Sequence, residues 1–356
     1  MTPLPPGSTI GILGGGQLGR MLGMAAAQLG YRCHIYAPDP DSVAAEVAAE
    51  FTRAQNNDIS ALTAFADSCD VLTFEFENVP VDPLHEIEEL APLHPPVGAL
   101  DIAQNRIAEK NYARELGGST APFAEVTDLE TLAQAIDEVG TPAILKTIRM
   151  GYDGKGQARI KAGDDLGQHW DMVDQQPCVA EGFVEFDHEF SVILVRAQDG
   201  EIRFWDTPWN VHENGILAIS SAPAPPEILA LQETAQALAA KMADAMSYVG
   251  VLTCEFFATA DGPVFNEMAP RVHNSGHWTI EGAITSQFEN HIRAICGLPL
   301  GDTGLAAKRV EMHNLIGKQA DNWPALLADG QNHLHLYGKG ASRPGRKMGH
   351  VTKLFF

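Results

Sequence analysis

The sequence predicts an α/β protein in which a parallel-sheet module is followed by a small and then a larger α+β module. Three observations indicate this: a strand, a glycine-rich turn, a helix and a strand over residues 8–36; a strand, a glycine-rich loop and a returning strand over 143–160; and two extended segments around a turn over 251–268. A chain of 356 residues is too long for one small core, so two or three domains are expected.

Composition limits the possible partners. The net charge of −22 argues against a nucleic-acid partner and makes each cluster of Lys and Arg informative. No apolar run is long enough to span a membrane, and the start of the chain lacks the pattern of a signal peptide. The five cysteines follow no disulfide or zinc-binding spacing, which suits a reducing compartment. The sequence therefore predicts a cytoplasmic protein with no membrane partner.

The first module opens with a Rossmann-like pattern. A strand at Ser8–Leu13 runs into Gly14–Gly19, which has the form G-x-G-x-x-G, and a strand at Tyr31–Tyr36 follows an amphipathic helix. The glycines and the helix N-terminus can bind an anion. Asp39 stands near the position of a ribose-binding acid in NAD sites. This motif alone predicts an anionic ligand, which can be a dinucleotide or a single phosphate.

Acidic residues end the next predicted strand, Val71–Phe76. Glu75 and Glu77 lie on one face by strand periodicity, at the strand end where parallel sheets bind ligands. The alternative is that they cap the predicted helix at Val81–Leu90, and the pattern does not decide between the two. A helix at Leu100–Leu116 is predicted to lead out of this module.

The second module carries a lysine and a flexible loop. Thr127-x-x-Glu130 is a capping box for a helix ending near Gly140. Lys146 lies among apolar residues of a strand at Ala143–Ile148, which favours a partly buried, paired amine. The Gly151–Gln157 loop fits a mobile flap over phosphates but does not match a Walker loop. The Val179–Val184 segment and the following Glu189 can offer groups to an adenine and its ribose.

The third module contains the predicted centre of the protein. If the turn tip is at Asp261, Glu255 lies opposite Glu267 across a hairpin. Two facing carboxylates repel unless a cation lies between them, and an oxygen-only ligand set favours magnesium. The alternative is a pair of exposed glutamates. The polar segment that follows, with Asn266, Arg271, His273, Asn274 and His277, favours the magnesium site.

The elements after this module are predicted from helix and strand signals. A long helix follows Pro226 and runs to about Tyr248, and Ser286-x-x-Glu289 caps a helix ending at Gly297. The 339–350 loop then concentrates four basic residues, Lys339, Arg343, Arg346 and Lys347, in a very acidic chain. Pro344 and the glycines hold it in a turn, so it is predicted to bind phosphate.

Together these motifs resemble the ATP-grasp superfamily. The segments GGGQLGRM, TFEFENVP, GYDGKGQ, APRVHNSGHW and RPGRKMGH resemble, in order, the family of bacterial-type 5-(carboxyamino)imidazole ribonucleotide synthases of purine biosynthesis. The match covers nearly the whole chain. It implies a pre-ATP-grasp domain at 1–107, an ATP-grasp lid at 108–187 and a C-terminal ATP-grasp domain at 188–356. It also implies a homodimer.

The resemblance implies ATP-dependent carboxylation of 5-aminoimidazole ribonucleotide by bicarbonate through carboxyphosphate. The residues expected to bind ATP are Arg106, Lys146, Gly151, Tyr152, Asp153, Gly154, Lys155, Gly156, Gln157, Glu181, Gly182, Phe183, Val184, Glu189, His212, Asn266 and Glu267. Magnesium is expected on Glu255 and Glu267. The expected catalytic residues are Asp153, Arg271, His273 and Lys347. The substrate is expected to meet Gly16, Gln17, Leu18, Glu75, Tyr152, Arg271, His273, Asn274, Arg343, Arg346 and Lys347.

Three alternatives compete with this interpretation. A formate-dependent glycinamide ribonucleotide transformylase would share the ATP residues but differ after Pro270, where HNSGHWT fits the carboxylating family. An NAD-dependent oxidoreductase would explain Gly14–Gly19 and Asp39, but not the facing glutamates or Lys146. A noncatalytic acidic binding protein would explain the charge alone.

Overall fold

The computed structural model describes residues 2–149 and 156–356, and within them the chain forms three β-sheets. The sheets follow one another roughly in chain order, as the sequence predicts. In this part of the chain, no helix is both long and apolar enough to cross a bilayer.

The first sheet is parallel, with the strand order β3-β2-β1-β4. Its strands are β1 (Thr9–Leu13), β2 (Arg32–Ala37), β3 (Glu50–Arg53) and β4 (Val71–Phe74). Its helices are α1 (Gln17–Gln28), α2 (Ile59–Asp67), α3 (Val81–Ile87) and α4 (Val97–Ala103), with a 3-10 turn at Ala45–Val47. The strand–turn–helix–strand opening is confirmed. The apolar stripe of α1 is buried, and Gly30 follows the helix with a positive φ of 82°.

The single helix predicted at Leu100–Leu116 is wrong. The chain forms α4 and then a separate helix, α5 (Arg106–Glu115). Asn105 separates them because its side-chain oxygen accepts the N–H groups of Ile107 and Ala108, at 3.0 and 3.2 Å. Asn105 is therefore the N-cap of a new helix, α5, whose first residue is Arg106.

The second sheet is antiparallel, with the strand order β6-β9-β7-β8. This region contains β5 (Ser119–Thr120), β6 (Phe123–Val126), α6 (Leu129–Val139), β7 (Ala143–Thr147), β8 (Gln157–Ile160), α7 (Leu166–Met172) and β9 (Cys178–Gly182). The predicted capping box is displaced by one residue. Asp128 and Thr131 cap α6, instead of Thr127 and Glu130, because an Asp carboxylate accepts the Thr131 N–H at 2.8 Å.

The third sheet is large and mostly antiparallel, with the order β17-β18-β16-β13-β12-β10-β14-β15-β5 and with β11 beside β10. Its strands are β10 (His188–Arg196), β11 (Ile202–Phe204), β12 (Trp209–Glu213), β13 (Ile216–Ala222), β14 (Gly250–Thr259), β15 (Gly262–Ala269), β16 (Arg309–Ile316), β17 (Asn332–Leu336) and β18 (Lys347–Phe355). The helices are α8 (Pro226–Leu229), α9 (Gln232–Ala245), α10 (Thr279–Gly282), α11 (Gln287–Ile295) and α12 (Trp323–Ala328), with 3-10 turns at Asn274–Gly276 and Gly317–Asn322. The long helix predicted after Pro226 is therefore two helices, whereas Ser286 caps α11 as predicted.

The first and third sheets share a hydrophobic core. Ile10 and Leu22 from the N-terminal region belong to the same buried cluster as Trp278 and Ile292. A buried hydrogen bond of 2.9 Å between Thr73 of β4 and His291 of α11 also joins them. This packing brings the carboxyl end of β4 close to the segment that follows β15.

Candidate active site

The β14–β15 hairpin has the predicted register at its centre. Glu255 is paired with Glu267, and the turn is formed by Ala260 and Asp261. The pairing shifts by one residue next to this pair, because Phe256 is opposite Phe265 and Asn266 is an extra residue in β15. Such a bulge re-aims side chains next to functional sites. Asn266 consequently lines the same cavity as Glu255.

The two facing glutamates have different electrostatic environments. Burial, followed by repulsion from Glu267, raises the pKa of Glu255 to about 7. Burial also acts to raise the pKa of Glu267, but Arg106 and Lys146 outweigh it and leave that pKa lowered. Arg106 Nη1 lies 3.0 Å from Glu267 Oε2, and the Glu267 side chain is 41% exposed.

This pair of carboxylates fits a divalent cation. A cation between them would remove the repulsion that raises the pKa of Glu255. Within the described residues, no group of three or more His, Cys, Asp or Glu side chains is arranged to hold a metal. Two carboxylates alone suit magnesium, which usually keeps waters and shares its remaining positions with substrate phosphates.

Lys146 is a paired, partly buried amine, as predicted. Its Nζ lies 2.9 Å from Glu181 Oε2, and Lys110 Nζ lies 3.2 Å from the other carboxylate oxygen. Burial acts to raise the pKa of Glu181, but the two lysines outweigh it and lower that pKa to about 2. Glu181 therefore stays ionised at the end of β9, immediately before Gly182, Phe183 and Val184.

A second acid–base pair lies on the neighbouring strands of the large sheet. His212 Nδ1 on β12 is 2.9 Å from Glu189 Oε2 on β10. Burial acts to lower the pKa of His212, but Glu189 and Glu255 outweigh it and leave the pKa raised. Glu189, His212, Glu255 and Asn266 line one cavity. The structure thus brings these predicted nucleotide residues together.

Glu75 lies against the glycine-rich turn. Gly16 donates its N–H to Glu75 Oε1 at 2.6 Å, just before helix α1. A Cβ atom at Gly14 would lie 2.7 Å from Glu75, and the φ of Gly14 is +118°, so the turn needs glycine at this position. Burial raises the pKa of Glu75, against the opposing effects of the Gly16 N–H and Arg271. The Glu75 carboxylate therefore takes up the Gly16 N–H at the N-terminus of α1.

Glu77 forms an ion pair with Arg271. The Arg271 Nη2 atom, in the segment after β15, lies 2.6 Å from Glu77 Oε2. Of the two open interpretations of these acids, the helix cap is not observed, since α3 begins after Pro80 and its cap position makes no side-chain hydrogen bond. Both acids instead bind tertiary partners, Glu75 the Gly16 N–H and Glu77 the Arg271 guanidinium.

The segment after β15 is held by buried hydrogen bonds. His273 Nδ1 lies 2.8 Å from Ser275 Oγ and 3.6 Å from Glu255 Oε1. Burial, with Arg271 and Lys347 nearby, holds the pKa of His273 well below its usual value. Asn274 exchanges side-chain hydrogen bonds with Asn314 of β16, at 2.9 and 2.8 Å. His273 is therefore neutral at physiological pH and lies beside the proposed metal ligand.

The basic loop reaches the same cleft from the C-terminal side. Lys347 begins β18 and contributes to the electrostatic environment of Glu255, and Lys339 contributes to that of Glu75. Lys339 Nζ donates to the Lys347 carbonyl at 2.9 Å, and Arg346 Nη1 donates to the Lys339 carbonyl at 3.0 Å. Arg343 is exposed on this loop, and no contact of its side chain with the other predicted residues is seen in the described part of the chain.

The flap predictions for Gly151, Tyr152, Asp153, Gly154 and Lys155 lie outside the described residues. The remaining flap residues are placed. Gly156 has a φ of +67° and its carbonyl accepts the Thr147 N–H at 2.9 Å, and Gln157 begins β8 opposite Lys146.

Glu109 and Lys110 of α5 were not predicted from the sequence, and Lys339 was predicted only as a member of the basic loop. Glu109 and Lys110 follow Arg106 at positions i+3 and i+4, which places the three on one helix face. This spacing in the sequence could have indicated the charged face. It was not recognised because the helix was predicted to begin at Leu100 and not at Arg106.

Three family models match successive parts of the chain. The family described as "ATP-grasp domain" matches residues 111–288. "Ribonucleotide synthetase preATP-grasp domain" matches residues 8–104, and "Phosphoribosylaminoimidazole carboxylase C-terminal domain" matches residues 311–355.

Relatives match along nearly the full length. The N5-carboxyaminoimidazole ribonucleotide synthase of Brucella melitensis is 48% identical over 356 residues, covering 99% of this chain and 98% of the relative. The crystal structure of the synthetase from Thermus thermophilus is 45% identical, with a TM-score of 0.90, covering 97% of this chain and 93% of that chain. The synthase from Aspergillus clavatus, in complex with ADP and 5-aminoimidazole ribonucleotide, is 32% identical, with a TM-score of 0.91. The match covers 98% of this chain and 94% of that chain.

The fold and the cleft define an ATP-grasp ligase with an N-terminal pre-ATP-grasp domain. Within that class, the chain belongs to the N5-carboxyaminoimidazole ribonucleotide synthase family.

Proposed function

We propose that this enzyme carboxylates the amine of 5-aminoimidazole ribonucleotide with bicarbonate, consuming ATP, in purine biosynthesis. The observation that carries the proposal is the pair Glu255 and Glu267, which face each other in a cleft shared with Arg106 and Lys146. Family membership supports the choice of substrates, because a relative is described in complex with ADP and 5-aminoimidazole ribonucleotide.

The nucleotide would lie between the second and third sheets. Lys146 and Arg106 would meet its phosphates, while the Glu181–Val184 segment would meet the adenine and Glu189 the ribose. The 151–157 flap would cover the phosphates, and His212 and Asn266 line the cavity beneath them. Glu255 and Glu267 would hold magnesium. Magnesium, when bound, neutralises charge on the phosphates.

Arg271 is the proposed bicarbonate ligand. Its guanidinium binds the Glu77 carboxylate at 2.6 Å, and bicarbonate offers a similar planar pair of oxygens. Bicarbonate would therefore compete with Glu77 for this side chain. His273, kept neutral by its surroundings, and Lys347 would orient the reacting groups.

The ribonucleotide is proposed to lie between the N-terminal module and the basic loop. The first turn of α1 has N–H groups without helical partners, and Gly16 already donates to Glu75. This leaves Gln17 and Leu18 as the better donors to the substrate phosphate, opposite Arg343, Arg346 and Lys347. Glu75 and Asn274 would contact the sugar or the ring, and Tyr152 of the flap would close over the substrate.

The proposed chemistry has two stages. A bicarbonate oxygen attacks the γ-phosphorus of ATP, and ADP leaves with the electron pair of the broken bond, giving carboxyphosphate. The substrate amine then forms a bond to carbon, either of carboxyphosphate or of carbon dioxide released from it, and phosphate leaves. Asp153 is proposed to accept the amine proton. Because carboxyphosphate is labile, exclusion of water by the flap has a direct purpose.

Measuring ADP release tests the proposal. The enzyme with ATP and magnesium is given either bicarbonate plus 5-aminoimidazole ribonucleotide or formate plus glycinamide ribonucleotide. We expect release with the first pair only. Release with the second pair only would identify a transformylase instead and would contradict the proposal.

We further propose a cytoplasmic homodimer. The five cysteines, all within the described residues, are free thiols, which suits a reducing compartment. Light scattering coupled to size-exclusion chromatography tests the dimer, since a monomer mass would contradict it.

A further inference from the structure

Helix α5 turns an unusual charged face towards the interior. Arg106, Glu109 and Lys110 share this face, and Glu109 and Lys110 are only 2% and 1% exposed. Charged side chains are seldom fully buried unless they are paired, because burial removes their hydration. We therefore expect specific partners for the charged side chains on this buried helix face.

The charged face of α5 contacts three consecutive residues of β15. Arg106 binds the Glu267 carboxylate at 3.0 Å, and Lys110 Nζ donates to the Asn266 carbonyl at 3.2 Å. Glu109 Oε1 accepts the Met268 N–H at 2.5 Å. The Asn266 carbonyl is part of the bulge next to the Glu255–Glu267 pair. Lys110 thus anchors the irregular point of the hairpin.

Lys110 also contacts the second sheet. Its Nζ lies 3.2 Å from Glu181 Oε1, while Lys146 Nζ lies 2.9 Å from Glu181 Oε2. One carboxylate is therefore shared by two ammonium groups. The exposed fraction of the Lys146 side chain is 13%, compared with 2% for Lys110 and 5% for Glu181. Of the two lysines, Lys146 has the better access to the cleft.

The two lysines therefore have different tasks. If Lys146 is to bind a phosphate, its hold on Glu181 must weaken. Without another cation, this would leave a buried carboxylate uncompensated, which is costly. Lys110 contacts the other carboxylate oxygen of Glu181, Oε1, and can remain there while Lys146 turns to the nucleotide.

We propose that Lys110 is a positioning residue of the nucleotide site, which neutralises Glu181 so that Lys146 can bind the phosphates of ATP. This inference rests on the nucleotide site proposed above and adds a residue and a task to it. A purely structural Lys110 would instead anchor α5 to β15, and its replacement would affect stability without depending on the charge of Glu181.

A double-mutant cycle distinguishes the positioning role of Lys110 from a purely structural role. The variants are Lys110→Met, Glu181→Gln and their combination, and the readouts are calorimetric Kd values for a nonhydrolysable ATP analogue with magnesium and for 5-aminoimidazole ribonucleotide. In the wild-type background, we expect Lys110→Met to weaken the binding of the ATP analogue by about tenfold or more, because Lys146 is then the only lysine beside the Glu181 carboxylate. In the Glu181→Gln background, the same substitution should change the Kd by less than about twofold.

The Kd for 5-aminoimidazole ribonucleotide should stay the same across the cycle. Lys161→Met, at an exposed lysine just past β8, is the matched control and should leave both Kd values unchanged. Equal losses of ATP-analogue affinity in both backgrounds would overturn the inference.

If Lys110→Met alone does not fold, the comparison of Glu181→Gln with the double variant decides the question. The double variant removes both members of the buried Lys110–Glu181 ion pair together. A Kd within about twofold of Glu181→Gln supports the inference, and a loss of about tenfold overturns it. Failure of the wild-type enzyme to bind the analogue at all would count against the proposed function instead.

Discussion

Acidification should weaken the fold through His291, the buried residue that joins α11 to the N-terminal sheet. Its Nε2 lies 2.9 Å from Thr73 Oγ1, and its Nδ1 accepts the Val251 N–H at 3.2 Å. The imidazole is therefore neutral, with its proton on Nε2. A proton on Nδ1 would face the Val251 N–H, and burial lowers the pKa of His291 to about 3.

The sign and the size of the effect follow from this lowered pKa. In the unfolded chain a histidine pKa is about 6.5, so the unfolded state binds the proton first as pH falls. The stabilisation is complete above pH 6.5 and is lost progressively as pH falls towards 3. A pKa difference of one between the folded and unfolded states corresponds to about 1.4 kcal/mol, so the limiting loss is about 5 kcal/mol, with about 2 kcal/mol lost by pH 5.

Urea unfolding at pH 7.5 and pH 5.0 measures this loss. The comparison variant is His291→Asn, whose side-chain oxygen can replace Nδ1 as acceptor but does not titrate. We expect the free energy of unfolding to fall by about 2 kcal/mol more in the wild type than in the variant between the two pH values. Other buried histidines contribute equally to both proteins. Equal pH dependence in the two would refute the reasoning.

Three further predictions concern the site and one cap. Glu267→Gln should abolish ADP formation and lower the melting temperature by only about 1 °C, because its ion pair with Arg106 is partly exposed; normal turnover would count against the metal site. Arg346→Ala should raise the apparent KM for the ribonucleotide with little change in kcat, and an unaltered KM would exclude the loop from phosphate binding. Asn105→Ala should lower the free energy of unfolding by about 1 kcal/mol in urea titrations, since it removes the cap of α5. A loss of zero would show that the cap contributes nothing.

Local patterns in the sequence predicted much of the fold. The strands around Gly14–Gly19, the buried stripe of α1 and the Glu255–Glu267 pairing are all confirmed. The pairing is correct for a different reason than expected, because a two-residue turn is combined with the bulge at Asn266. Hydrophobic periodicity does not reveal such a bulge. The extra residue, Asn266, shifts the strand pairing by one residue between the turn and the Glu255–Glu267 pair.

Two of the errors arose where a side chain competes with the helical backbone. Asn105 divides a continuous helical pattern, and Asp128 takes the cap position next to Thr127. Short polar side chains of this kind offer the backbone alternative hydrogen bonds.

Tertiary contacts account for the rest. Glu75 lies in the glycine-rich turn and Glu77 pairs with Arg271, which is 194 residues away in sequence. No local pattern specifies either partner. The buried charges of Glu109 and Lys110 are also explained only when β15 and Glu181 are seen beside α5.

A crystal structure with an ATP analogue and Mn²⁺ would test the metal site directly, because Mn²⁺ stands in for magnesium and can be located by anomalous scattering. A metal peak is expected about 2.1 Å from carboxylate oxygens of both Glu255 and Glu267, in contact with the triphosphate. A bound nucleotide whose metal lies away from both carboxylates would contradict the proposed metal site.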